Sequence, residues 1–234
     1  MTDRTPSLAP EDPRDWRPMR PYRGRRTFAV SDPILEPFWS GVRVIAHITL
    51  AAGDAHDSEV SLIEELGADV APELPALREA VGHSISAFDA VIDGVISRQI
   101  GLGGVGAAVV PEMRGRPGIF LRSGVELEVV PRGALSGQNE ATDGFIALDL
   151  LRVDGASLLD VPLLERKRLL ESVVSQGSLV RTSVHVRPPI ETWVATWKAI
   201  GLRGGILKGA NSRYAPGQQS SEWRIVEHVG RRAV

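Results

Sequence analysis

Hydrophobic and polar positions along the chain change period several times. Residues 42–48 alternate apolar and polar side chains, which predicts a strand, and residues 145–153 form an apolar run that predicts another. Residues 158–174 have apolar side chains at helical spacing with Pro162 near the start, which is typical of an amphipathic helix. Residues 190–200 have the same helical spacing. The chain therefore mixes helices and strands.

The remaining segments give no regular strand–helix alternation. Residues 88–96 predict a strand with a turn at Asp93-Gly94, whereas residues 59–67 and 73–81 have helical spacing. Shorter strands are expected at residues 118–122, 125–130 and 179–186 and near the end of the sequence. Without a repeated βαβ rhythm, the pattern favours an α+β fold with mainly antiparallel sheets.

The first 27 residues differ in composition from the rest. They contain five prolines and a cluster of Arg23, Arg25 and Arg26. This composition predicts a flexible Pro/Arg-rich tail over residues 1–27 and a folded domain over residues 28–234. A basic arm that touches phosphates is the alternative interpretation.

Composition excludes several classes of protein. The 234 residues include no cysteine, which excludes disulfides, thiolate nucleophiles and cysteine-ligated zinc. The five histidines are scattered, so we expect no metal site. No apolar run is long enough for a membrane span and no apolar leader is present, so we expect a cytoplasmic protein without a membrane partner. Lysine occurs only at Lys167, Lys198 and Lys208, and the net charge is −2.

Four stretches, in the right order, resemble one known family. IALDLLRVDGASLLDVPLLERKRLLESVV (146–174) and GLRGGILKGANSRYAPGQQSSEW (201–223) are similar to motifs of ATP-dependent DNA ligases, as are FDAVIDGVI (88–96) and LEPFWSGVRVIAHI (35–48). The resemblance covers the adenylation (nucleotidyltransferase) domain. It implies a ligase-type, ATP-grasp-like core of two mainly antiparallel sheets flanked by helices. It also implies ATP and Mg²⁺ as cofactors, and DNA or a nucleotide as partner.

The family's nucleophile motif has the pattern E-x-K-x-D-G-x-R. By this resemblance Glu36 matches the glutamate, and Gly41 and Arg43 are retained. The lysine that attacks the α-phosphate of ATP is replaced by Phe38, and the aspartate by Ser40. A phenyl ring has no lone pair to donate, so no adenylyl adduct can form at Phe38.

The other motifs of the family are also altered. Asp93 and Gly94 are kept, but the glutamate that contacts the sugar becomes Val95 and the aromatic residue that stacks on adenine becomes Leu148. The metal-holding glutamate becomes Arg203, which reverses its charge. The phosphate-contacting lysine is retained as Lys208. The two lysines of the last motif are replaced by Ile225 and Glu227.

These replacements predict a pseudoenzyme: a ligase-like domain, inactive in adenylation, that binds nucleotides or nucleic acid weakly or acts as a scaffold, with a possible link to DNA repair. No oligonucleotide-binding barrel follows the last motif in this sequence, so we expect either its loss or its supply by a partner protein. One alternative is an active nucleotidyltransferase that uses Lys208, Lys198 or Lys167. The other is an unrelated α+β binding domain.

Overall fold

A computed structural model describes residues 10–22, 29–39, 41–50, 58–97, 119–122, 126–129, 143–199 and 204–227. Within these ranges the strands are β1 (Arg20–Pro21), β2 (Pro33–Pro37), β3 (Val42–Leu50), β4 (Ser58–Glu64), β5 (Asp89–Ser97), β6 (Ile119–Arg122), β7 (Glu126–Val129), β8 (Gly144–Val153), β9 (Ala156–Ser157), β10 (Val180–Thr182), β11 (Gly204–Gly209), β12 (Gln219–Ser220) and β13 (Trp223–Glu227). The α-helices are α1 (Pro75–His83), α2 (Leu163–Val173) and α3 (Ile190–Ala199).

Most of the strands belong to one large sheet. Its order is β10-β8-β5-β3-β6-β7, with β4 paired to β3 and β9 paired to β8. All these pairs are antiparallel except β10 with β8. A second, antiparallel sheet has the order β13-β11-β2, and β1 pairs with β12 in parallel. The predicted α+β architecture with two mainly antiparallel sheets is confirmed.

The alternation of β3 divides its side chains between two environments. Val44, Ala46 and Ile48 lie in the main hydrophobic core with α1 and α2 side chains. Arg43 and Ile45 lie on the opposite face, toward the second sheet and the N-terminal segment. Since both faces of β3 are covered along most of its length, polar groups on the second face need partners inside the protein.

Residues 10–22 differ from the expectation of a flexible tail over residues 1–27. Trp16 and Met19 are buried in a cluster with Ile45 and Trp223. The backbone N–H of Met19 donates to the hydroxyl of Tyr214 at 2.8 Å. Residues Pro13–Asp15 form a short 3-10 helix, and the large apolar side chains that follow provide the buried area that fixes the segment to the sheet. The described part of the segment is therefore part of the domain.

Two other expectations were wrong. Residues 59–64 lie in β4 rather than in a helix, because Val60 and Leu62 alternate into the core while the backbone pairs with β3. Asp93-Gly94 is not a turn but lies within β5, at a register irregularity against β8. A Cβ at Gly94 would lie 2.3 Å from the Phe145 ring, so close packing requires glycine here.

The helix expected over residues 158–174 is confirmed as α2, although it begins at Leu163.

None of the helices in the described ranges is both long and apolar enough to cross a membrane.

A buried ion pair attaches α2 to the large sheet. Arg166 donates to both carboxylate oxygens of Asp149 on β8, at 2.8 and 2.9 Å, and both side chains are inaccessible to solvent. The same guanidinium donates to the carbonyls of Val161 and Ser212. Arg166 thereby joins the helix, the strand and the loop after β11, and it compensates a carboxylate that would otherwise be buried alone.

We expect Arg166→Met to lower the free energy of unfolding by about 3–5 kcal/mol, because it leaves Asp149 buried without its cation. The measurement is urea unfolding followed by circular dichroism. Arg168→Met is the matched control: it lies on the same helix and removes only an exposed pair with Glu165, so no measurable change is expected. Equal losses in both variants would contradict this account of α2.

Candidate functional site

A small cavity lies where β2 and β11 of the second sheet approach β3, β5 and β8 of the large one. Its lining includes six residues that were predicted from the sequence to belong to the site: Glu36, Phe38, Arg43, Val95, Leu148 and Lys208. The other lining residues are Pro37, Trp39, Gly41 and Ile206. Phe38 follows β2, and its backbone N–H donates to the carbonyl of Gly204 at the start of β11. Residues from motifs that are far apart in the sequence thus meet at one place in the fold.

The cavity is far smaller than a nucleotide pocket. Its volume is about 20 Å³, which is enough for about one water molecule. Pockets that hold small organic ligands have volumes of roughly 300 Å³ or more. The cavity itself is therefore too small to hold ATP.

Apolar side chains fill the space beside this cavity. Val95, Ile146 and Leu148 form a buried cluster against which Trp39 packs. Phe38 is only 7% exposed. Trp39 also donates from its indole N–H to the Ser183 hydroxyl at 2.9 Å, which fixes the ring. Val95 and Leu148, both of which the resemblance selected as site residues, thus pack in one apolar cluster.

Glu36 lies between two lysines at the edge of the cavity. Its carboxylate is 2.8 Å from Nζ of Lys167 and 3.1 Å from Nζ of Lys208, and all three side chains are almost completely buried. Burial tends to raise the pKa of Glu36, but the two ammonium groups outweigh it and hold the pKa below the ordinary value. Only the Lys208 contact has full hydrogen-bond geometry.

Lys208 occupies an apolar and electropositive position. Its Nζ lies 4.1 Å from the centre of the Trp223 ring, a cation–π contact. Burial lowers the pKa of Lys208 to about 8, and Lys167 and Arg43 contribute in the same direction while Glu36 opposes them. The amine nevertheless remains paired with Glu36, so it is not free to act on a ligand.

Arg43 is held by a buried network on the other side of the cavity. It donates to both oxygens of Asp93 at 2.5 and 2.6 Å, and Tyr214 donates its hydroxyl to the same carboxylate at 2.7 Å. Burial opposes the charge on Arg43, but Asp93 more than compensates, so the pKa of Arg43 is raised. Arg43 and Asp93, which the sequence keeps, therefore neutralise each other.

Steric space alone explains why glycine is retained at position 41. A Cβ at this residue would lie 2.0 Å from the carbonyl oxygen of Ile96 on β5. No ordinary side chain can be placed there without moving the strand. The glycine is thus required by the close approach of the chain to β5, whatever the chemistry of the cavity.

The remaining predicted site residues give two different outcomes. Ser40 and Arg203 lie outside the described residues, whereas Ile225 and Glu227 are not among the residues that line the cavity. Ile225 and Glu227 belong to β13, where they pair with Ile206 and Gly204 of β11. In the described ranges, no group of three histidine, aspartate or glutamate side chains is arranged to hold a metal ion.

The sequence did not predict that three further residues take part in the contacts at the site: Lys167, Trp39 and Tyr214. Lys167 lies on the buried side of α2, where a charged side chain always needs a partner, and this was the available signal. Tyr214 belongs to the quoted Ser-x-Tyr segment, but only the fold shows that it reaches Asp93.

We expect the Lys208 amine to titrate near pH 8, well below an ordinary lysine. Between about pH 8 and 10.5 the unfolded chain then binds more protons than the folded one, so this group makes stability rise with pH across that window. NMR of ¹³C-lysine-labelled protein is suitable, because the chain has only three lysines. Lys208→Arg assigns the resonance, and a Lys208 pKa near the ordinary value would contradict the proposed burial.

Comparisons with known proteins agree with this fold. Residues 132–224 match the family model for the ATP dependent DNA ligase domain. A DNA ligase of Methanothrix thermoacetophila is 32% identical over 164 residues, covering 66% of this chain and 26% of the relative. The multifunctional non-homologous end joining DNA repair protein LigD of Mycobacterium tuberculosis is 27% identical over 190 residues, covering 81% and 21%. The chain thus spans about a quarter of the length of these relatives.

Solved structures show the same architecture. The mycobacterial DNA ligase D complexed with ATP and MES superposes with a TM-score of 0.63 at 23% identity, covering 92% of this chain and 61% of that one. The ligase domain of M. tuberculosis LigD gives a TM-score of 0.59 at 24% identity over the same share of this chain. The chain is thus similar to ATP-dependent DNA ligases in sequence, and its fold is that of their ligase domain.

Proposed function

We propose that this adenylation domain is catalytically inactive and serves as a nucleotide- or nucleic-acid-binding or scaffold module in DNA joining or repair. The observation that carries the proposal is the replacement of the family's reactive groups by side chains that pack together. Phe38, Val95 and Leu148 all line the same small cavity, and Val95 and Leu148 belong to one apolar cluster with Ile146.

The replacements remove the chemistry at its first step. Adenylation requires an amine that attacks the α-phosphate, and Phe38 offers none. The metal-holding and sugar-contacting carboxylates are replaced at Arg203 and Val95. Catalytic groups act as a unit, so the loss of one already removes most of the rate and the others do not restore it. We therefore assign no reaction step that uses ATP or Mg²⁺ to the described residues.

The charges that remain support weak binding. Arg43 and Lys208 line the cavity, but Arg43 is neutralised by Asp93 and Lys208 by Glu36. An incoming phosphate would have to compete with these internal carboxylates. The relation to DNA repair rests on the similarity to LigD, a multifunctional non-homologous end joining DNA repair protein, and is part of the proposal for this chain.

One observation favours an active alternative. A lysine with a pKa of about 8 is partly unprotonated at neutral pH, and such an amine is a possible nucleophile. Lys208 is the only lysine that lines the cavity among the described residues. Its burial, its pairing with Glu36 and its contact with Trp223 all oppose this role.

We expect no covalent label when the full chain is incubated with α-³²P-ATP and Mg²⁺ and then denatured. The ligase domain of M. tuberculosis LigD, treated in parallel, is the positive control. Label on this protein would overturn the proposal, and its loss in Lys208→Met but not in Lys198→Met would then identify Lys208 as the nucleophile. We also expect Phe38→Lys to stay unlabelled, since the new amine would meet neither a fitting pocket nor the carboxylates that the family uses.

The binding role has its own test. We expect saturable binding of a fluorescent nicked duplex in an anisotropy titration, independent of ATP and weakened by added salt, because phosphate contacts release counterions. Duplexes with and without the nick distinguish recognition of an end from general attraction to DNA. Absence of binding at low salt would refute a nucleic-acid role while leaving the inactivity of the site unaffected.

A further inference from the structure

A second and larger cavity lies on the large sheet, away from the motif residues. Its volume is about 310 Å³, within the range of small-ligand pockets. It lies on the face of β3 and β5 that also contains Arg43 and Asp93, but at the opposite end of these strands. Its lining residues are Asp12, Pro13, Arg14, His47, Ile48, Thr49, Glu59, Ser61, Asp89, Ala90, Val91 and Arg152.

The strand register brings the polar side chains of this cavity into two rows. Ser61, His47 and Val91 are cross-strand neighbours on β4, β3 and β5, and Arg152 pairs with Val91 from β8. Glu59, Thr49 and Asp89 form the next row. Paired strands form a rigid base, so these groups are held at fixed separations.

The net charge of the lining is −1, from three carboxylates, two arginines and a neutral imidazole. Burial lowers the pKa of His47 to about 4, and the nearby arginines contribute in the same direction, so this residue adds no positive charge at neutral pH. Its Nε2 atom is shielded from solvent and has no hydrogen-bond partner among the described residues. The imidazole thus forms an uncharged part of the cavity wall.

Several of the charged groups are already engaged. Arg152 lies 3.4 Å from Asp89, whose other oxygen accepts from the backbone N–H of Gly155. Asp12 accepts from the backbone N–H of Arg14. In the part of the chain that the structure describes, Glu59 is exposed and forms no ion pair. Beyond the pair of Arg152 with Asp89, the lining thus has two carboxylates, Asp12 and Glu59, against the single guanidinium of Arg14, and the hydroxyls of Thr49 and Ser61 add further acceptors.

A metal ion does not fit this arrangement, because the described residues contain no group of three suitable ligands in range of one another. An anion would meet a lining with a net negative charge. The volume and the acceptors suit an organic group with several N–H donors and a positive charge.

We propose that this cavity binds a small organic cation bearing a guanidinium or primary ammonium group, with Glu59 as its charge partner. The same group could be carried by a free amine or by the side chain of an arginine in another protein. This site is separate from the motif cavity and does not depend on the inactivity of the adenylation chemistry.

The probe is agmatine, titrated into the full chain at low ionic strength and followed by ¹H–¹⁵N NMR. We expect saturable shifts for residues that line the cavity, and about tenfold weaker binding by Glu59→Gln, since one charged contact is lost. Glu79→Gln is the matched control, because Glu79 is an exposed carboxylate on α1 outside the cavity and should bind agmatine as the original chain does.

Further ligands identify the source and test the charge. Binding of N-acetyl-arginine methylamide equal to that of agmatine would point to a protein side chain, whereas preference for agmatine would point to a free amine. The proposal is overturned if agmatine gives no saturable shifts up to about 10 mM. It is also overturned if AMP binds the cavity in its place, or if Glu79→Gln weakens binding as much as Glu59→Gln does.

Discussion

The burial of Glu36 between Lys167 and Lys208 is the interaction on which the arrangement of the motif cavity depends. Glu36 and Lys208 belong to the small sheet, whereas Lys167 belongs to α2, which packs against the large sheet. A carboxylate at this depth is tolerated only when opposite charges replace the water that it loses. The pairing therefore connects the two sheets through α2, and it fixes the strand that leads directly into Phe38.

The charges and the apolar side chains at this place are mutually consistent. Asp93 accepts from both Arg43 and Tyr214, Arg166 is paired with Asp149, and Glu36 is paired with the two lysines. Val95 and Leu148 belong to one apolar cluster with Ile146. Buried charged groups are stable in a fold when each has an opposite charge or a hydrogen-bond partner, and most of these groups have one.

The sequence predicted the elements whose periodicity coincides with burial. The alternation of β3, the apolar run of β8 and the helical spacing of α2 are strong because each buries a continuous apolar face. The prediction of a helix at residues 59–67 was wrong because strand pairing with β3 overrides the local helical spacing of the apolar residues. The motif spacing also predicted which residues would meet at Phe38, but the partner of Glu36 on α2 depends on a long-range contact between elements that no local pattern encodes.

Trp16 and Met19 pack in one buried cluster with Ile45, Tyr214 and Trp223, so the described residues 10–22 cover part of the hydrophobic core. Truncation of the protein at residue 28, the domain boundary that its composition suggests, would remove this segment. The shortened chain would present a large aromatic surface to water and leave the Tyr214 hydroxyl without the donor that orients it. Aggregation of such a fragment would then reflect a misplaced cut rather than an intrinsically unstable fold.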